Sequence, residues 1–403
     1  MSYLLHLIQW VLAGSSLFLC SYLVILTILA PRGRRLSAPP ASRRHRFVVV
    51  IPAHNEEASI ARTIDSVLSV DYPRSSFRCI VIADNCTDAT VGIAASHGAT
   101  VMERFDPSLR GKGFALRWGF DKLLQEVPGD DALVIVDADS VVSSNMLSVF
   151  DSYVERGDLA MQCADIVEPQ QGAWSVAMTQ IGFLLYNVVR PLGRKAIGGT
   201  AGLRGNGMCL TSALLRRIPW AAYSLGEDIE YGIQLLLSGV RVVFAHEATV
   251  LATMPRDPRN AESQRSRWEV GRLPVVRRYA WPLLRDALVR PSLPSLDAFL
   301  DLITPALVNL QVFSVLMLCL TFVSMLAGVK GMELFVALWL VSVLFGLFHL
   351  FAGLAIAGAD ASLYKALLHV PRYALWKARL YLRIPRQLKK NEWVRTTREG
   401  GPQ

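Results

Sequence analysis

Three long apolar segments constrain the fold of this chain more than any other feature of its sequence. Residues 4–30, 303–328 and 334–357 contain no aspartate, glutamate, lysine or arginine. A helix of about 20 apolar residues crosses the roughly 30 Å hydrocarbon core of a bilayer, so each segment is long enough to span it. We therefore predict one spanning helix before a large central block and two after it, and no removable signal peptide.

Basic residues beside the apolar segments predict the orientation of the chain. Residues 32–46 contain six arginines, and residues 359–403 carry a second basic stretch. Because lysine and arginine are enriched on the cytoplasmic side of spanning helices, we expect the N-terminus outside and the central block and the C-terminus in the cytoplasm. The sequence thus predicts a multi-pass protein of the plasma (inner) membrane. The chain has a net charge of +9. We expect the basic residues beside the spanning helices to contact anionic lipid headgroups, and nucleic-acid binding is not expected.

The central block alternates short apolar strands with helices. Residues 47–51, 77–83 and 132–136 are continuous apolar runs, as expected of buried parallel strands. Residues 56–68 and 87–97 have the pattern of helices between them. This alternation predicts an α/β fold with a doubly wound, Rossmann-like sheet. In such sheets, ligands bind beyond the carboxyl ends of the strands.

Acidic side chains follow two of the predicted strands. Asp84 ends the second strand, and Asp137-Ala138-Asp139 follows the third. Mg²⁺ binds in proteins through one or two carboxylates together with phosphate oxygens. We therefore predict that Asp137 and Asp139 hold Mg²⁺ or Mn²⁺, and that Asp84 contacts the base or ribose of a nucleotide. The alternative for the Asp84 loop is an Asx turn that caps the following helix.

Two further clusters are candidates for binding and catalysis. Lys112 stands between two glycines and can meet an anion, although such a sequence by itself is more often just a turn. Glu227 and Asp228 precede a predicted helix at 229–237. They either complement the helix dipole or supply a general base, Asp228, that takes a proton from an attacking hydroxyl.

Gln264, Arg267 and Trp268 form a Gln-x-x-Arg-Trp sequence where the central block approaches the second apolar segment. Arg267 can neutralise the charge that develops on a diphosphate, and Trp268 can stack on a sugar or acceptor ring. The alternative is a pair that anchors the chain at the membrane interface.

Three other stretches are rich in apolar residues. Residues 174–189 are predicted to form a helix that lines a cleft, with a further spanning helix as the alternative. Residues 272–290 and 363–383 mix aromatic and basic side chains, which predicts helices in the headgroup layer. The alternative for both is amphipathic packing on the soluble domain.

In this order, the motifs resemble the membrane-bound family-2 glycosyltransferases with a GT-A fold, the group that contains cellulose, hyaluronan and poly-N-acetylglucosamine synthases. The resemblance runs from about residue 47 to about residue 272, and Gln-x-x-Arg-Trp is its most specific element. It implies a UDP-sugar donor and inversion at the anomeric carbon in one in-line displacement. The chain departs from the family at Gly226, where threonine is frequent, and at His54, where tyrosine is common.

The resemblance also implies roles for individual residues. Asp228, with Glu227 beside it, would be the catalytic base, and Asp139 with Asp137 would ligate the metal. A loop at 199–207 would lie near the donor sugar. The donor would contact Ala53, Asn55, Glu56, Asp84, Lys112 and Asp137. The acceptor and the diphosphate end would be lined by Gln264, Arg267 and Trp268.

Together, these features predict a membrane-embedded, metal-dependent inverting glycosyltransferase that extends a polysaccharide. The alternatives are single addition to a lipid acceptor, as by a ceramide glucosyltransferase, a sugar-phosphate or nucleotidyl transferase, and a non-catalytic scaffold. Fewer spans are predicted than in the larger synthases, so export of a polysaccharide would involve a partner subunit. The predicted organisation is a spanning helix (1–31), a basic linker (32–46), a cytosolic GT-A domain (47–272), interfacial helices (273–300), two spanning helices (301–358) and a basic amphipathic tail (359–403).

Overall fold

A computed structural model describes residues 2–41, 44–126, 131–170, 173–255 and 258–388. The helices are α1 (Ser2–Arg34), α2 (Ile60–Leu68), α3 (Thr90–Ser96), α4 (Lys112–Glu126), α5 (Met146–Glu155), α6 (Trp174–Phe183), α7 (Arg190–Ala196), α8 (Ser212–Arg217), α9 (Glu227–Leu237), α10 (Pro258–Val289), α11 (Leu293–Ile303), α12 (Leu307–Leu326), α13 (Met332–Ala357), α14 (Ala361–Ala366) and α15 (Val370–Leu388). The strands are β1 (Phe47–Ala53), β2 (Phe77–Asp84), β3 (Thr100–Arg104), β4 (Ala132–Ile135), β5 (Ser140–Val142), β6 (Ala160–Val167), β7 (Met208–Thr211) and β8 (Val243–Ala252). A π-helical turn at Leu184–Val189 joins α6 to α7, and short 3-10 turns lie at Arg74–Ser76 and Leu367–His369.

The eight described strands form one mixed sheet in the order β3-β2-β1-β4-β7-β6-β8-β5. The half built from β3, β2, β1 and β4 is parallel. The strands β1, β2 and β4 were predicted from their continuous apolar runs, whereas β3, with the sequence TVMER, was not. β7 runs antiparallel to both β4 and β6, which no sequence pattern indicates, because a short buried strand has the same composition in either direction. The predicted α/β fold with a Rossmann-like half is confirmed, and its second half is mixed.

Side chains of the central strands alternate between two apolar layers. Val48 and Val50 of β1 pack on one face, which α4 and the segment from α6 to α7 cover. Val49 and Ile51 pack on the other face, which α2 and α5 cover. Successive side chains of a strand point to opposite faces, so burial on both sides explains why β1 is apolar throughout. The ends of the strands are left as the accessible edge of the sheet.

Three described helices, α1, α12 and α13, are long and apolar enough to cross a membrane. They correspond to the three segments predicted to span. Buried polar pairs join them at several depths. The hydroxyls of Ser16 and Ser314 lie 2.8 Å apart, and the hydroxyl of Thr27 lies 2.6 Å from Nδ1 of His349. Such pairs satisfy polar groups where apolar side chains surround them. We call these three the long apolar helices.

The C-terminal end of α1 packs directly on α7. A Cβ at Gly33 would overlap the carbonyl oxygen of Leu192, and a Cβ at Gly193 would overlap the carbonyl oxygen of Leu26. The two helices therefore cross with their backbones in contact, a geometry that only residues without a side chain permit here. This crossing holds the α/β block against the end of α1.

The segment predicted as a helix at 174–189 is helical and continues to Ala196. It lies between the sheet and the long apolar helices α1 and α13. Further along, α10 runs without a break across the predicted domain boundary at residue 272, and it buries Val275, Tyr279 and Leu283 against α9 and α11. One face of the 272–290 stretch therefore packs on neighbouring helices, as its alternative interpretation proposed.

Candidate active site

One large cavity opens at the carboxyl ends of the parallel strands. Its volume is about 1960 Å³. The loops after β1, β2 and β4 form one wall, and the beginning of α9 and part of α10 form another. The predicted residues that line it are Ala53, Glu56, Asp84, Lys112, Asp137, Asp139, Glu227, Asp228, Gln264, Arg267 and Trp268. Residues far apart in sequence therefore meet in one space.

Asp137 and Asp139 lie in the turn that joins β4 to β5. Asn206 holds this turn in place, because its side-chain oxygen accepts the backbone N–H of Asp137 at 3.0 Å. The Nδ2 group of Asn206 donates to the hydroxyl of Ser140 at 2.9 Å. Asn206 belongs to the loop that was predicted to lie near the donor sugar. Through these contacts the loop fixes the turn that carries the two carboxylates at the cavity wall.

The chemistry of Asp137 and Asp139 fits a divalent cation. Both offer hard oxygen ligands at the cavity wall. Within the described part of the chain, no cluster of three or more His, Cys, Asp or Glu side chains forms a metal site by itself. Two carboxylates leave the remaining coordination positions to phosphate oxygens and water, which is how Mg²⁺ is usually held. A site of this kind would be completed by a phosphate-bearing ligand.

Lys112 is engaged by protein groups in this structure. Its ammonium group forms a short ion pair with Asp137 and donates to the carbonyl of Gly205. Burial opposes the charge on Lys112, but the carboxylates of Asp137 and Glu227 raise its pKa. Lys112 therefore stays charged and neutralises one of the two carboxylates. Its contact with a donor remains a prediction.

Asp84 ends β2 as a buried carboxylate at the cavity wall. Its Oδ1 accepts hydrogen bonds from Arg104 at 2.5 Å and from Asn85 at 3.0 Å. The ring Nδ1 of His54 lies 2.7 Å from the Asp84 carbonyl oxygen, so the loop after β1 is tied to the end of β2. Asp84 is thus held in one orientation by Arg104, which the sequence reasoning did not include.

Asn55 is the one predicted site residue that does not line the cavity, and all of the predicted site residues are among those that the structure describes. Its side-chain oxygen accepts the backbone N–H of Thr87 at 2.7 Å, and its Nδ2 donates to the Thr87 hydroxyl at 3.1 Å. Its backbone adopts the left-handed conformation, with φ of 56°. Asn55 therefore links the loops after β1 and β2, and the observed contacts are those of a positioning residue.

Glu227 and Asp228 begin α9 and face the turn that carries Asp137. Burial and the carboxylate of Asp228 raise the pKa of Glu227. Burial also raises the pKa of Asp228, although the backbone N–H of Ile229 and the charge of Lys112 oppose this effect. A carboxylate with a raised pKa is a stronger base once it is deprotonated. The pair therefore stands at the start of a helix, as one interpretation predicted, and the role of Asp228 as a general base stays a prediction.

Close approach of the loop at Gly205 brings backbone next to Asp228. A Cβ at Gly205 would lie 3.3 Å from Oδ2 of Asp228, and the residue has a φ of +83°. Any L side chain there would strain the backbone and crowd the carboxylate. The positive φ and the close approach to Asp228 therefore explain why this position is a glycine.

Gln264, Arg267 and Trp268 line the cavity from α10. The side chain of Trp268 is 41 % exposed, and its ring centroid lies 5.5 Å from that of Phe183 on α6. One face of the indole is therefore available to a ligand in the cavity. This placement agrees with the predicted stacking role, which stays a prediction.

Arg265 fastens α15 to the same part of α10. Its guanidinium carbon lies 5.4 Å from the ring centroid of Tyr373 and 4.9 Å from that of Trp376. Arg265 also donates to the carbonyl of Ser175 at 2.6 Å. The amphipathic helix α15, predicted to lie at the membrane surface, is thus held as one wall of the cavity.

Asp165 on β6 is a cavity residue that the sequence reasoning missed. Its carboxylate is buried, and Oδ1 has no hydrogen-bond partner among the residues described. The Nδ2 group of Asn187 donates to Oδ2 at 3.3 Å. Burial, together with the carboxylates of Asp137 and Asp139, raises the pKa of Asp165 well above its usual value. The available signal was a single acid in an otherwise mostly apolar strand.

The cavity continues from the carboxylates into the space between the long apolar helices. Residues of α12, α13 and α15 line this part, and most of them are apolar: Leu307, Val312, Val315, Leu316, Leu347, Leu350 and Val370. The charged region and the apolar region form one continuous space. Such a space can hold a molecule that has a polar head and an apolar tail.

Comparisons with known proteins place this geometry in a family. Residues 45–271 match the sequence model of the family described as glycosyltransferase like family 2. A beta-monoglucosyldiacylglycerol synthase of Nostoc sp. is 26 % identical over 247 residues, which cover 58 % of this chain and 50 % of that protein. The probable glycosyltransferase YdaM of Bacillus subtilis is 24 % identical over 244 residues, covering 57 % of this chain and 56 % of that protein. The chain thus spans about half the length of the curated relatives it matches.

A solved structure shows the same fold. The mannosyltransferase PcManGT from Pyrobaculum calidifontis, in complex with GDP-Man and Mn²⁺, aligns with a TM-score of 0.53 at 15 % identity. The alignment covers 85 % of this chain and 99 % of that chain. The likeness confirms a GT-A-like sheet with flanking helices. Because the family match extends over more than half of the sequence, the chain belongs to glycosyltransferase-like family 2.

Proposed function

We propose that the protein is a membrane-embedded, metal-dependent inverting glycosyltransferase that moves a sugar from a nucleoside-diphosphate sugar to a hydroxyl of a membrane lipid. The observation that carries this proposal is the continuity of the cavity. One end holds Asp137, Asp139 and Asp228, and the other lies between α12 and α13. A lipid acceptor could place its hydroxyl beside Asp228 while its chains stay among apolar side chains.

In this proposal, the strand-end residues bind the donor. Asp84, held by Arg104, accepts from the nucleotide, which we propose to be UDP-linked. Asp137 and Asp139 would hold Mg²⁺ or Mn²⁺ and would leave its other coordination positions open. A bound cation supplies positive charge that stabilises the leaving diphosphate. PcManGT, which shares the fold, was solved with Mn²⁺.

Asp228 is the proposed base. Its position at the start of α9, beside the Asp137 turn, puts a carboxylate within the space where donor and acceptor would meet. It removes the proton of the acceptor hydroxyl as the oxygen attacks the anomeric carbon, and the nucleoside diphosphate leaves from the opposite face. The charge of Arg267 favours that departure, and Trp268 offers a ring on which a sugar can stack.

Two versions of this function, extension of a polysaccharide and addition of one sugar to a lipid, differ in their acceptor. Polysaccharide extension, the version that the Gln-x-x-Arg-Trp resemblance favours, needs a path for a long hydrophilic chain. The described cavity instead becomes apolar as it leaves the carboxylates. The Nostoc relative is named as a synthase of a glucosyl diacylglycerol. Both observations support the lipid acceptor, which was predicted from the sequence as an alternative, and an export partner is then unnecessary.

The proposed membrane arrangement follows from the long apolar helices and their basic flanks. α1, α12 and α13 would cross the bilayer, with the α/β block on the cytoplasmic side. α10, α11 and α15 would then lie near the headgroup layer. In this arrangement the apolar part of the cavity opens toward the lipid phase, from which the acceptor would enter.

The test is an assay of the purified full chain in detergent, with a panel of nucleoside-diphosphate sugars and with two acceptors, diacylglycerol and phosphatidylglycerol. We expect release of a nucleoside diphosphate and one added sugar per lipid. Long products would instead support polysaccharide extension. Release of a nucleoside monophosphate or pyrophosphate would indicate a sugar-phosphate or nucleotidyl transferase.

A matched pair of variants tests the apolar region of the cavity that α12, α13 and α15 line, which we call the apolar groove. Val315 lines the cavity from α12, whereas Val323 on the same helix is exposed and does not line it. We expect Val315→Trp to lower kcat/KM for the lipid acceptor about tenfold or more, since small changes in an apolar pocket give effects of about 10- to 200-fold. Nucleotide binding should stay unchanged, and Val323→Trp should leave both quantities unchanged. Equal effects of the two variants would contradict the proposed groove.

A further inference from the structure

Four arginines form a buried cluster near Asp228, and three of them, Arg190, Arg204 and Arg272, lie over the ring of Tyr186. We define the arginine cluster as Arg190, Arg194, Arg204 and Arg272. Its guanidinium carbons include those of Arg204 and Arg190, which lie 4.1 Å and 5.1 Å from the centroid of the Tyr186 ring. The carboxylates that pair with this cluster are those of Asp297 and Asp301 on α11. Three of the four arginines pair with these two carboxylates, and Arg272 binds backbone carbonyl oxygens.

Two members of the cluster, Arg194 and Arg272, have no buried nitrogen that lacks a hydrogen-bond partner among the described residues. Arg194 donates through Nε to Asp297 at 2.7 Å and through Nη1 to Asp301 at 2.9 Å. Arg272 donates to the carbonyl oxygens of Asp301, Leu302 and Thr304, at 2.7, 2.8 and 2.8 Å. These bonds satisfy the C-terminal end of α11. Arg194 and Arg272 therefore hold the fold together.

Arg190 and Arg204 are different. Among the residues that the structure describes, Nε and Nη1 of Arg190 and Nε of Arg204 have no hydrogen-bond partner. Their side chains are only 2 % and 6 % exposed. The nearest carboxylate oxygens of Asp301 lie 3.7 Å from Arg190 and 3.5 Å from Arg204. Burial lowers the pKa of Arg190, although Asp301 opposes this effect.

Buried donors without acceptors are costly, and both arginines line the cavity. Arg204 directly precedes Gly205, the residue that approaches Asp228, and the Asp228 carboxylate acts on the charge of Arg204. Leu302 and Ile303 follow Asp301 and line the cavity where it turns toward α12. The incompletely paired donors therefore lie between the proposed base and the apolar groove.

We propose that Arg190 and Arg204 bind a phosphoryl group carried by the acceptor lipid. Guanidinium groups offer several N–H donors in a planar arrangement that matches phosphate oxygens. The proposed metal site, Asp137 with Asp139, already accounts for the diphosphate of the donor. This inference rests on the proposed lipid acceptor and deepens it, since it assigns an anionic headgroup to that lipid.

A purely structural explanation makes a different prediction. If Arg190 only braced Asp301, its removal would destabilise the protein without a ligand. If the cluster holds surplus positive charge for a ligand, Asp301 keeps Arg194 and Arg204 in Arg190→Gln. The ligand-free variant should then melt at or above the wild-type temperature.

The experiment measures ligand binding by calorimetry with the full chain in detergent, so that it does not depend on sugar transfer. The probes are a short-chain phosphatidic acid, the diacylglycerol with the same chains, inorganic phosphate alone, and UDP with Mn²⁺. Wild type should bind the phosphatidic acid about tenfold or more tightly than the diacylglycerol, as expected of charge-assisted hydrogen bonds. Arg190→Gln and Arg204→Gln should remove this preference, and Arg190→Lys should keep part of it.

Arg117→Gln is the matched control, because Arg117 pairs with Asp121 at the surface. This variant should bind all probes as wild type does. A loss of UDP affinity in Arg190→Gln, with the lipid preference intact, would assign the site to the donor and overturn the proposal. Inorganic phosphate that binds as tightly as the phosphatidic acid would also overturn it, as would a preference that both Gln variants retain. A failure of sugar transfer to every lipid would count against the proposed function. The binding measurements would still test the phosphoryl site, because they do not depend on sugar transfer.

Discussion

Replacement of Asp301 by asparagine should destabilise the protein more than loss of any surface ion pair. Asp301 lies on α11, and its side chain is only 9 % exposed. Its carboxylate oxygens lie 2.9 Å from Arg194, 3.5 Å from Arg204 and 3.7 Å from Arg190. Those guanidinium groups lower the pKa of Asp301 in spite of its burial. Asp301→Asn would remove the charge that serves three buried cations.

The magnitude follows from this geometry. Removing one partner of a buried ion pair costs about 3–5 kcal/mol, because the other charge stays buried. With an unfolding entropy of about 2.1 cal/mol/K per residue over 403 residues, that loss corresponds to a fall of about 4–6 °C in the apparent melting temperature. Asp297 alone cannot compensate, since its contact is with Arg194.

Thermal unfolding of the detergent-solubilised protein, followed by tryptophan fluorescence, measures this change. The control is Asp121→Asn, which removes a surface pair with Arg117 spaced i,i+4 on α4. Such pairs contribute about 0.3–0.5 kcal/mol, so the control should melt within about 1 °C of wild type. If Asp301→Asn also melted within about 1 °C, the view of Asp301 as the main counter-charge of the arginine cluster would be refuted.

Three further predictions concern the catalytic assignments. Asp228→Asn should lower kcat by about 10²–10⁴-fold while donor affinity, measured by calorimetry, changes little; equal loss of both would remove its assignment as base. Asp139→Asn should abolish Mn²⁺- or Mg²⁺-dependent binding of the donor, as chelation of the cation by EDTA should in wild type, and Asp121→Asn should not. Burial raises the pKa of Asp228 above its ordinary value of 3.8. We therefore expect kcat/KM to have its full value at pH values above that raised pKa, where Asp228 is deprotonated, and to fall as the pH drops through it. A pH profile that stays flat down to pH 4 would contradict this.

Much of the parallel half-sheet could be predicted from the sequence, because burial on both faces leaves a continuous apolar run that is visible in one dimension. The positions of Asp84, Asp137 and Asp139 followed from the same runs, since the residue after a parallel strand lies at the binding edge. Asn55 shows the limit of this rule. It follows β1 as expected, yet its side chain turns to Thr87, because the left-handed backbone at this position directs it toward the neighbouring loop.

The positions of Asp165 and of the arginine cluster could not be predicted in this way. Asp165, Arg190 and Asp301 come from β6, α7 and α11, which are far apart in the chain, and single charges in apolar segments carry no periodic signal. The approach of Arg190 to Asp301 depends on the crossing of α1 and α7 at Gly33 and on the packing of α11 against α10.

The amino-acid sequence by itself determined which segments are apolar enough to span a membrane, which three buried strands form the centre of the parallel half-sheet and which acids follow them. These properties depend on local burial and on the order of residues along the chain. Only the tertiary structure decided that the charged edge of the sheet opens into an apolar groove and that two incompletely paired arginines lie at their junction. Those features arise from contacts between distant segments, whose free energy depends on packing in three dimensions and leaves no pattern in any one of them.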